Sequence, residues 1–233
     1  MRLPTLDGRL RRIKDLLPAS FERLVDVGTD HGYLPLHLLA EGRTKQALAT
    51  DLRPSPLNKA RCNLDRFGQL TGVSFSRCDG LKTVVLQPGD CLVIAGMGGL
   101  TIADILAAGD LPVGLRCWLQ PMKSATDLLQ RLPHCGLTLV NEQLTFSNGR
   151  FYRIMVAEKK VVKSDLQAES AALTEGLPLS RFLTEPAGRD RETASCWPGF
   201  CAHECKRLRK IPAGDPRRAA LAYFEQELSR GQR

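Results

Sequence analysis

No apolar run in this chain approaches the ~20 residues that cross a bilayer. The opening Met1-Arg2-Leu3-Pro4-Thr5 meets charge early and has no apolar h-region, which argues against a secretory signal. The expectation is a cytoplasmic protein with no membrane partner. The G-x-G-x-x-G spacing that seats a pyrophosphate on a helix N-terminus is also missing, which weighs against a dinucleotide oxidoreductase. Regular zinc spacing is absent. Cys196, Cys201, His203 and Cys205 match no common structural pattern, and on one helix His203 would point away from Cys201 and Cys205. No metal is expected. The eight cysteines read as reduced thiols, several of them small core residues.

Charge of one sign is in excess. Lys and Arg number 33 against 25 Asp and Glu, a net charge of +8. Such a balance attracts polyanions, and RNA is the common cytosolic one. The basic residues gather at the ends, Arg9, Arg11, Arg12 and Lys14 on one side and Lys206, Arg207, Arg209, Lys210, Arg217 and Arg218 on the other. Two basic flanks around a neutral core make a clamp for a folded nucleic acid, with Arg9 and Arg12 as substrate contacts. The length, 233 residues, allows one large domain and an appendage. The character changes after Lys160, so the expected division is 1–160 and 161–233.

The chain is organised around Arg23 to Pro35. Leu24, Val25 and Val27 suit a buried strand, Gly28 a turn, and Leu34, Leu36, Leu38 and Leu39 a following helix. In open α/β sheets ligands bind at such turns. Gly28 lets backbone approach a ligand, while Asp26 and Asp30 bring carboxylates to it. Two acids would repel a pyrophosphate and welcome a cation with an amino-acid end, as in S-adenosylmethionine. The plainer alternative is an acidic loop with Asp30 capping the helix.

The remaining elements follow as βα units. A helix over Leu6–Leu17, capped by Asp7, precedes the first strand. Gln46–Leu52 is a second strand whose Asp51 suits ribose hydroxyls, or else caps the helix Ser55–Phe67. Val73–Gly80 is a third strand; Asp79 could accept from an adenine amino group, or Asp79-Gly80 is an ordinary turn. Cys91–Gly99 is a fourth and central strand; at its end Gly96, Gly98 and Gly99 surround Met97, so that bare backbone would face the pocket, or else the glycines serve a tight strand-to-helix turn. A helix over Leu100–Ala108, a strand over Arg116–Pro121 and a helix Ala125–Leu132 capped by Ser124 come next. Leu137–Phe146 and Arg150–Glu158 read as a hairpin around Ser147-Asn148-Gly149. Cys196–Leu208 and Pro216–Leu228 read as two helices joined by Ile211–Asp215. The fold class is α/β: parallel strands closed by an antiparallel hairpin, with a small C-terminal helical region.

Asp26-Val27-Gly28-Thr29-Asp30-His31-Gly32-Tyr33-Leu34-Pro35, Asp79-Gly80-Leu81, Ala95-Gly96-Met97-Gly98-Gly99 and Leu119-Gln120-Pro121 resemble the TrmK family of tRNA (adenine-22-N1)-methyltransferases. The resemblance runs over roughly residues 6–158. Thr29 and Gly32 stand where members often carry Ser and Ala, and Met122 replaces a frequent Asn. The resemblance implies a Rossmann-like class I S-adenosylmethionine-dependent methyltransferase domain, a helical C-terminal domain, and methylation of N1 of an adenine in the D-arm region of tRNA. It implies cofactor contacts at Asp26, Gly28, Thr29, Asp51, Leu52, Asp79, Gly80, Ala95, Gly96 and Met97. It places Asp30 and Tyr33 at the chemistry, and His31, Gly98 and Gln120 toward the substrate. His31 reads equally as a loop-orienting residue.

Chemistry agrees with an N1 target. Adenine N1 has an in-plane lone pair and needs no prior deprotonation, and a nearby carboxylate would stabilise the cation that forms. Enzymes acting on exocyclic amines often carry an Asn/Asp-Pro-Pro-aromatic run after the fourth strand, where Gly96-Met97-Gly98-Gly99 stands here. A methyltransferase of another substrate and a non-catalytic RNA-binding module remain the alternatives. The sequence leaves a monomer and a weak homodimer equally open.

Overall fold

The computed structural model describes residues 3–67, 70–161, 179–184, 187 and 189–230. Most of the irregular stretch expected after Lys160 lies outside the described residues, as do Met1 and Arg2 and the side chain of Arg217.

Seven strands form one sheet: β1 (Arg23–Val27), β2 (Gln46–Asp51), β3 (Val73–Arg77), β4 (Asp90–Gly98), β5 (Arg116–Lys123), β6 (Leu137–Ser147) and β7 (Arg150–Lys159). Their spatial order is β3-β2-β1-β4-β5-β7-β6. β1 to β5 run parallel, and β7 lies antiparallel to both β5 and β6. The expected sheet, parallel strands closed by an antiparallel hairpin, is the one found. Its order reverses between β1 and β4, so a crevice opens at their carboxyl ends, where ligands of open α/β sheets bind.

Helices cover both faces. α1 (Gly8–Leu16) starts on Asp7, whose carboxylate accepts the Leu10 N–H at 2.7 Å. Ile13 and Leu17 join Leu34 and Leu38 of α2 (Tyr33–Ala40) against Leu24, Val93 and Trp118. The Trp118 indole N–H donates to the Leu16 carbonyl at 3.0 Å, which fixes the end of α1 on the sheet. On the other face Ile102 and Leu106 of α4 (Gly99–Ala107), with Leu128 and Leu129 of α5 (Ala125–Arg131), pack on Val25, Ile94 and Leu119. α3 (Pro54–Arg66) contacts β2 and β3. Removing these aliphatic side chains from water supplies the main favourable free energy of the domain.

α6 (Arg181–Thr184), α7 (Arg191–Leu208) and α8 (Leu221–Arg230) build a third core. Leu183, Trp197, Phe200, Cys201, Cys205 and Phe224 pack there with Leu144 of β6. Arg189 lies 3.7 Å over the Trp197 ring and donates to Glu227 at 3.1 Å, while the Trp197 N–H donates to the same carboxylate oxygen at 2.8 Å. An ion pair is thereby sealed beneath an aromatic ring.

Several boundaries differ from expectation. β4 ends at Gly98, one residue short of the expected Gly99, and passes through two register shifts against β5. α7 begins at Arg191, five residues before Cys196, because Asp190 caps it by accepting the Thr193 N–H at 2.9 Å. Residues 216–220 form a 3-10 turn before α8. Ser124 precedes α5 in a left-handed conformation, φ 56°, and its side chain makes no capping bond. Neither acid caps a helix: Gly32 holds the cap position of α2, and Asp51 instead accepts the Arg53 N–H at 2.7 Å.

Candidate active site

At the end of β1 the chain crosses toward β2. The Gly28 and Thr29 N–H groups both donate to the Thr50 carbonyl, at 2.8 and 2.9 Å. Gly28 holds φ +78°, and a Cβ there would come within 2.0 Å of the Met97 methyl. Only glycine meets both conditions without strain. Met97, from the distorted end of β4, therefore lies on the bare backbone of the first turn. The two glycine-containing motifs of the sequence meet across the β1/β4 crevice.

Asp26 is buried beneath this turn. Burial pushes its carboxyl up to about 6, against the hydrogen bond from Thr29 and the attraction of Arg9. Asp51, at the end of β2, is buried as well and adds repulsion to Asp26. Two carboxylates at the carboxyl ends of neighbouring strands favour a cation carrying hydrogen-bond donors. Leu52, the next residue, is 58% exposed and offers apolar surface beside that acid.

Gln120 of β5 is fully buried. Its Oε1 accepts the Gly96 N–H at 3.2 Å and an Arg9 Nη1–H at 2.9 Å, and its Nε2 donates to the Pro121 carbonyl at 2.8 Å. Gln120 thus fixes the bulged end of β4 instead of standing free for a substrate. Arg9, expected on a basic flank, sits inside the crevice, with its guanidinium 3.4 Å from where a Gly96 Cβ would lie. Arg12, one turn further along α1, leaves the expected substrate-facing set. It is 7% exposed and ion-paired with Asp190 and Glu192 of the α7 N-terminus.

The rim is more open. Asp30 is exposed, and its carboxylate stands 3.2 Å from His31 Nε2. The His31 ring stacks on Tyr33 at 5.1 Å and 18°. These three expected residues form one continuous polar and aromatic lip. Its backbone is held from outside by Asn63 Nδ2, which donates to the His31 carbonyl at 2.9 Å.

Not every motif glycine faces the crevice. A Cβ at Gly99 would meet the Ser124 carbonyl at 2.1 Å, so Gly99 serves close helix–strand packing. Gly80 packs against Ile105 of α4 in the same way, while Asp79 is exposed and ion-paired with Lys82 at 2.5 Å. Gly98 borders Lys123 and Thr101. Among the described residues no cluster of His, Cys, Asp and Glu has the makings of a metal site.

Comparison with known proteins places this arrangement. A tRNA (adenine(22)-N(1))-methyltransferase of Bacillus subtilis (strain 168) is 29% identical over 182 residues, 77% of this chain and 75% of that protein. The crystal structure of the B. subtilis m1A22 tRNA methyltransferase TrmK superposes with a TM-score of 0.70 at 24% identity, over 97% of this chain and 96% of that one. Sp1610 of Streptococcus pneumoniae, in complex with S-adenosyl-L-methionine, gives 0.67 at 25% identity over 97% and 99% of the two chains. The structural likeness includes the C-terminal helices as well as the sheet. With its crevice at the β1/β4 reversal and residues 6–155 matched by the Methyltransferase domain model, the chain belongs to that family.

Proposed function

We propose that this protein transfers the methyl group of S-adenosylmethionine to N1 of adenine 22 in the D-arm region of tRNA. The observation that carries the reading is the match to the B. subtilis enzyme across 77% of the chain, joined to a crevice that keeps both glycine motifs in contact. The residues suit the cofactor. Asp26 is a buried carboxylate without a direct ion-pair partner among the described residues, and Gly28 leaves backbone uncovered beside it. When bound, S-adenosylmethionine supplies an electrophilic methyl on its sulfonium.

Asp26, Gly28 and Thr29 hold the methionyl end, Asp51 the ribose and Leu52 the adenine face, with Asp79 toward the adenine amino group. Ala95, Gly96 and Met97 line the junction between cofactor and substrate. Asp30 places negative charge at the lip, where the methylated base becomes cationic, and stabilises that charge as it develops. His31 and Tyr33 offer a stacked edge for orienting the base, and Gly98 leaves room for it. Orientation carries much of such a displacement, because a near-attack geometry replaces a bimolecular encounter. N1 is paired or stacked in folded RNA, so the base has to be exposed before transfer.

Residues 1–160 form the catalytic domain and 161–233 a helical domain that contributes tRNA contacts, with no metal in the reaction. The enzyme acts in the cytoplasm. Among the described residues no helix is long and apolar enough to cross a membrane. Methyl transfer to unmodified bulk tRNA, followed by mass spectrometry of the digested nucleosides, tests the reading. N1-methyladenosine that vanishes when the target adenine is replaced is the expected result. A different methylated nucleoside overturns the target, and absence of transfer despite cofactor binding overturns the substrate. tRNA affinity should also fall steeply with salt.

A further inference from the structure

The crevice is rich in acids, yet the cofactor proposed for it ends in a zwitterion. Asp26 and Asp51 serve the ammonium, sulfonium and hydroxyl groups, and nothing acidic can serve the α-carboxylate. Arg9 is the cation placed among them. It reaches from α1 to the end of β4, 3.4 Å from the Cβ position of Gly96, and is close enough to Asp26 to lower that carboxyl's affinity for a proton. Gln120 Oε1 takes one of its N–H groups, and Asp7 stands 3.5 Å from Nη2. A guanidinium carries five donors in a planar fork, so capacity remains for a carboxylate. Its side chain is only 18% exposed, which makes such a bond stronger than one at the surface. Lys123, the other cation near the glycine run, borders Gly98 and is exposed.

We propose that Arg9 binds the α-carboxylate of S-adenosylmethionine and so selects the amino-acid end of the cofactor. The inference rests on the cofactor reading above. α1 precedes the strand–turn–helix motif in sequence and contributes this contact from the opposite side of the crevice. Gln120 then acts as a positioning residue, because it fixes the guanidinium and the Gly96 backbone with one oxygen.

The test is calorimetric titration of the full chain with S-adenosylmethionine and with its decarboxylated form. The wild type should prefer the carboxylated ligand by roughly 10- to 100-fold, the range of a charge-assisted hydrogen bond. Arg9→Gln should bring the two affinities together by weakening only the carboxylated ligand. Arg9→Lys, which keeps the charge without the fork, should retain part of the preference, and Lys123→Gln all of it. Equal weakening of both ligands by Arg9→Gln would overturn the assignment and leave Arg9 a support for β4. A wild type without preference overturns it as well. Failure of the wild type to bind S-adenosylmethionine removes the cofactor reading itself, an outcome distinct from either. Unfolding midpoints of each variant show whether the fold is intact.

Discussion

Arg9 and the Gly96 backbone share one oxygen, Gln120 Oε1, at 2.9 and 3.2 Å. The sharing ties α1, β4 and β5 together at the floor of the crevice. Gln120 has no exposed surface, so water cannot replace what it supplies. Gln120→Leu should leave the Gly96 N–H and the Pro121 carbonyl without their partner and cost about 2–3 kcal/mol of stability. Denaturant unfolding of variant and wild type measures this. A change below ~0.5 kcal/mol, the ordinary range of surface substitutions, would show that the oxygen is dispensable.

Asp26 gives the crevice a pH dependence whose sign can be worked out. Its carboxyl is raised by burial to about 6 in the folded chain, against 3.8 for the unperturbed group. The folded state therefore binds a proton that the unfolded state has released between about pH 4 and 6. Stability is greatest below that window and falls as pH rises through it, by about 3 kcal/mol for a shift of this size. Binding runs the other way. The ionised carboxylate is the form that attracts a cationic ligand, so affinity for S-adenosylmethionine should weaken as pH drops below about 6. Asp26→Asn should flatten both curves, gain stability at pH 8 and lose affinity there. Unfolding and titration at pH 5 and 8 are sufficient, and a parallel slope in wild type and variant would assign the dependence to another group.

The sheet was readable because each strand carries its own signal. Leu24-Val25 and Leu92-Val93-Ile94 are short buried runs, and Ser147-Asn148-Gly149 marks the hairpin. The strand-end positions of Asp26, Gly28 and Asp51 were readable for the same reason, since glycine and acid after an apolar run announce a turn. Long-range pairing was not. Arg12 looks like its neighbours Arg9 and Arg11, and only the fold brings Asp190, 178 residues away, against it. The start of α7 was missed because Arg191–Ser195 has no apolar periodicity. Its Asp190 cap is a local contact to the Thr193 N–H, whereas its Trp197–Glu227 bond is a tertiary feature. The bulged end of β4 was hidden as well, because Gly96, Gly98 and Gly99 read alike in sequence while one borders Arg9 and another abuts the Ser124 carbonyl.

Asp30 offers the cleanest separation of chemistry from folding. Its side chain is 70% exposed, and its rim contact is His31 Nε2 at 3.2 Å. Exposed polar contacts contribute little, roughly 0–1 kcal/mol even between full charges. Asp30→Ala should leave the unfolding midpoint and the cofactor affinity nearly unchanged. Loss of a preorganised charge at the reacting base should lower kcat by roughly 10²- to 10³-fold. Single-turnover transfer with saturating tRNA reads the effect directly, and an unchanged rate would remove Asp30 from the reaction.

Arg12 links the sheet domain to the C-terminal helices. It lies in α1, three residues from Arg9, and pairs with Asp190 and Glu192 where α7 begins. The cost of burying Asp190 is outweighed by the hydrogen bond from Arg12 and by that from the Thr193 backbone, so its carboxyl sits below the usual aspartate range. The stability from this contact is present above the unperturbed pKa and is lost as pH falls through the lowered one. Arg12→Ala should therefore destabilise the chain at neutral pH, by about 1–3 kcal/mol for an ionic partner left half-buried. The damage should fall on the seam between β6 and α7, where Thr193 also donates to Gln143 at 2.6 Å. Limited proteolysis would then cut within the C-terminal helices before the sheet domain. KM for tRNA should rise more than the dissociation constant of S-adenosylmethionine, because Arg9 is held in the crevice by Gln120 rather than by the α7 contact. Equal losses in both constants would show instead that α1 moves as a unit and that the seam supports the cofactor site itself.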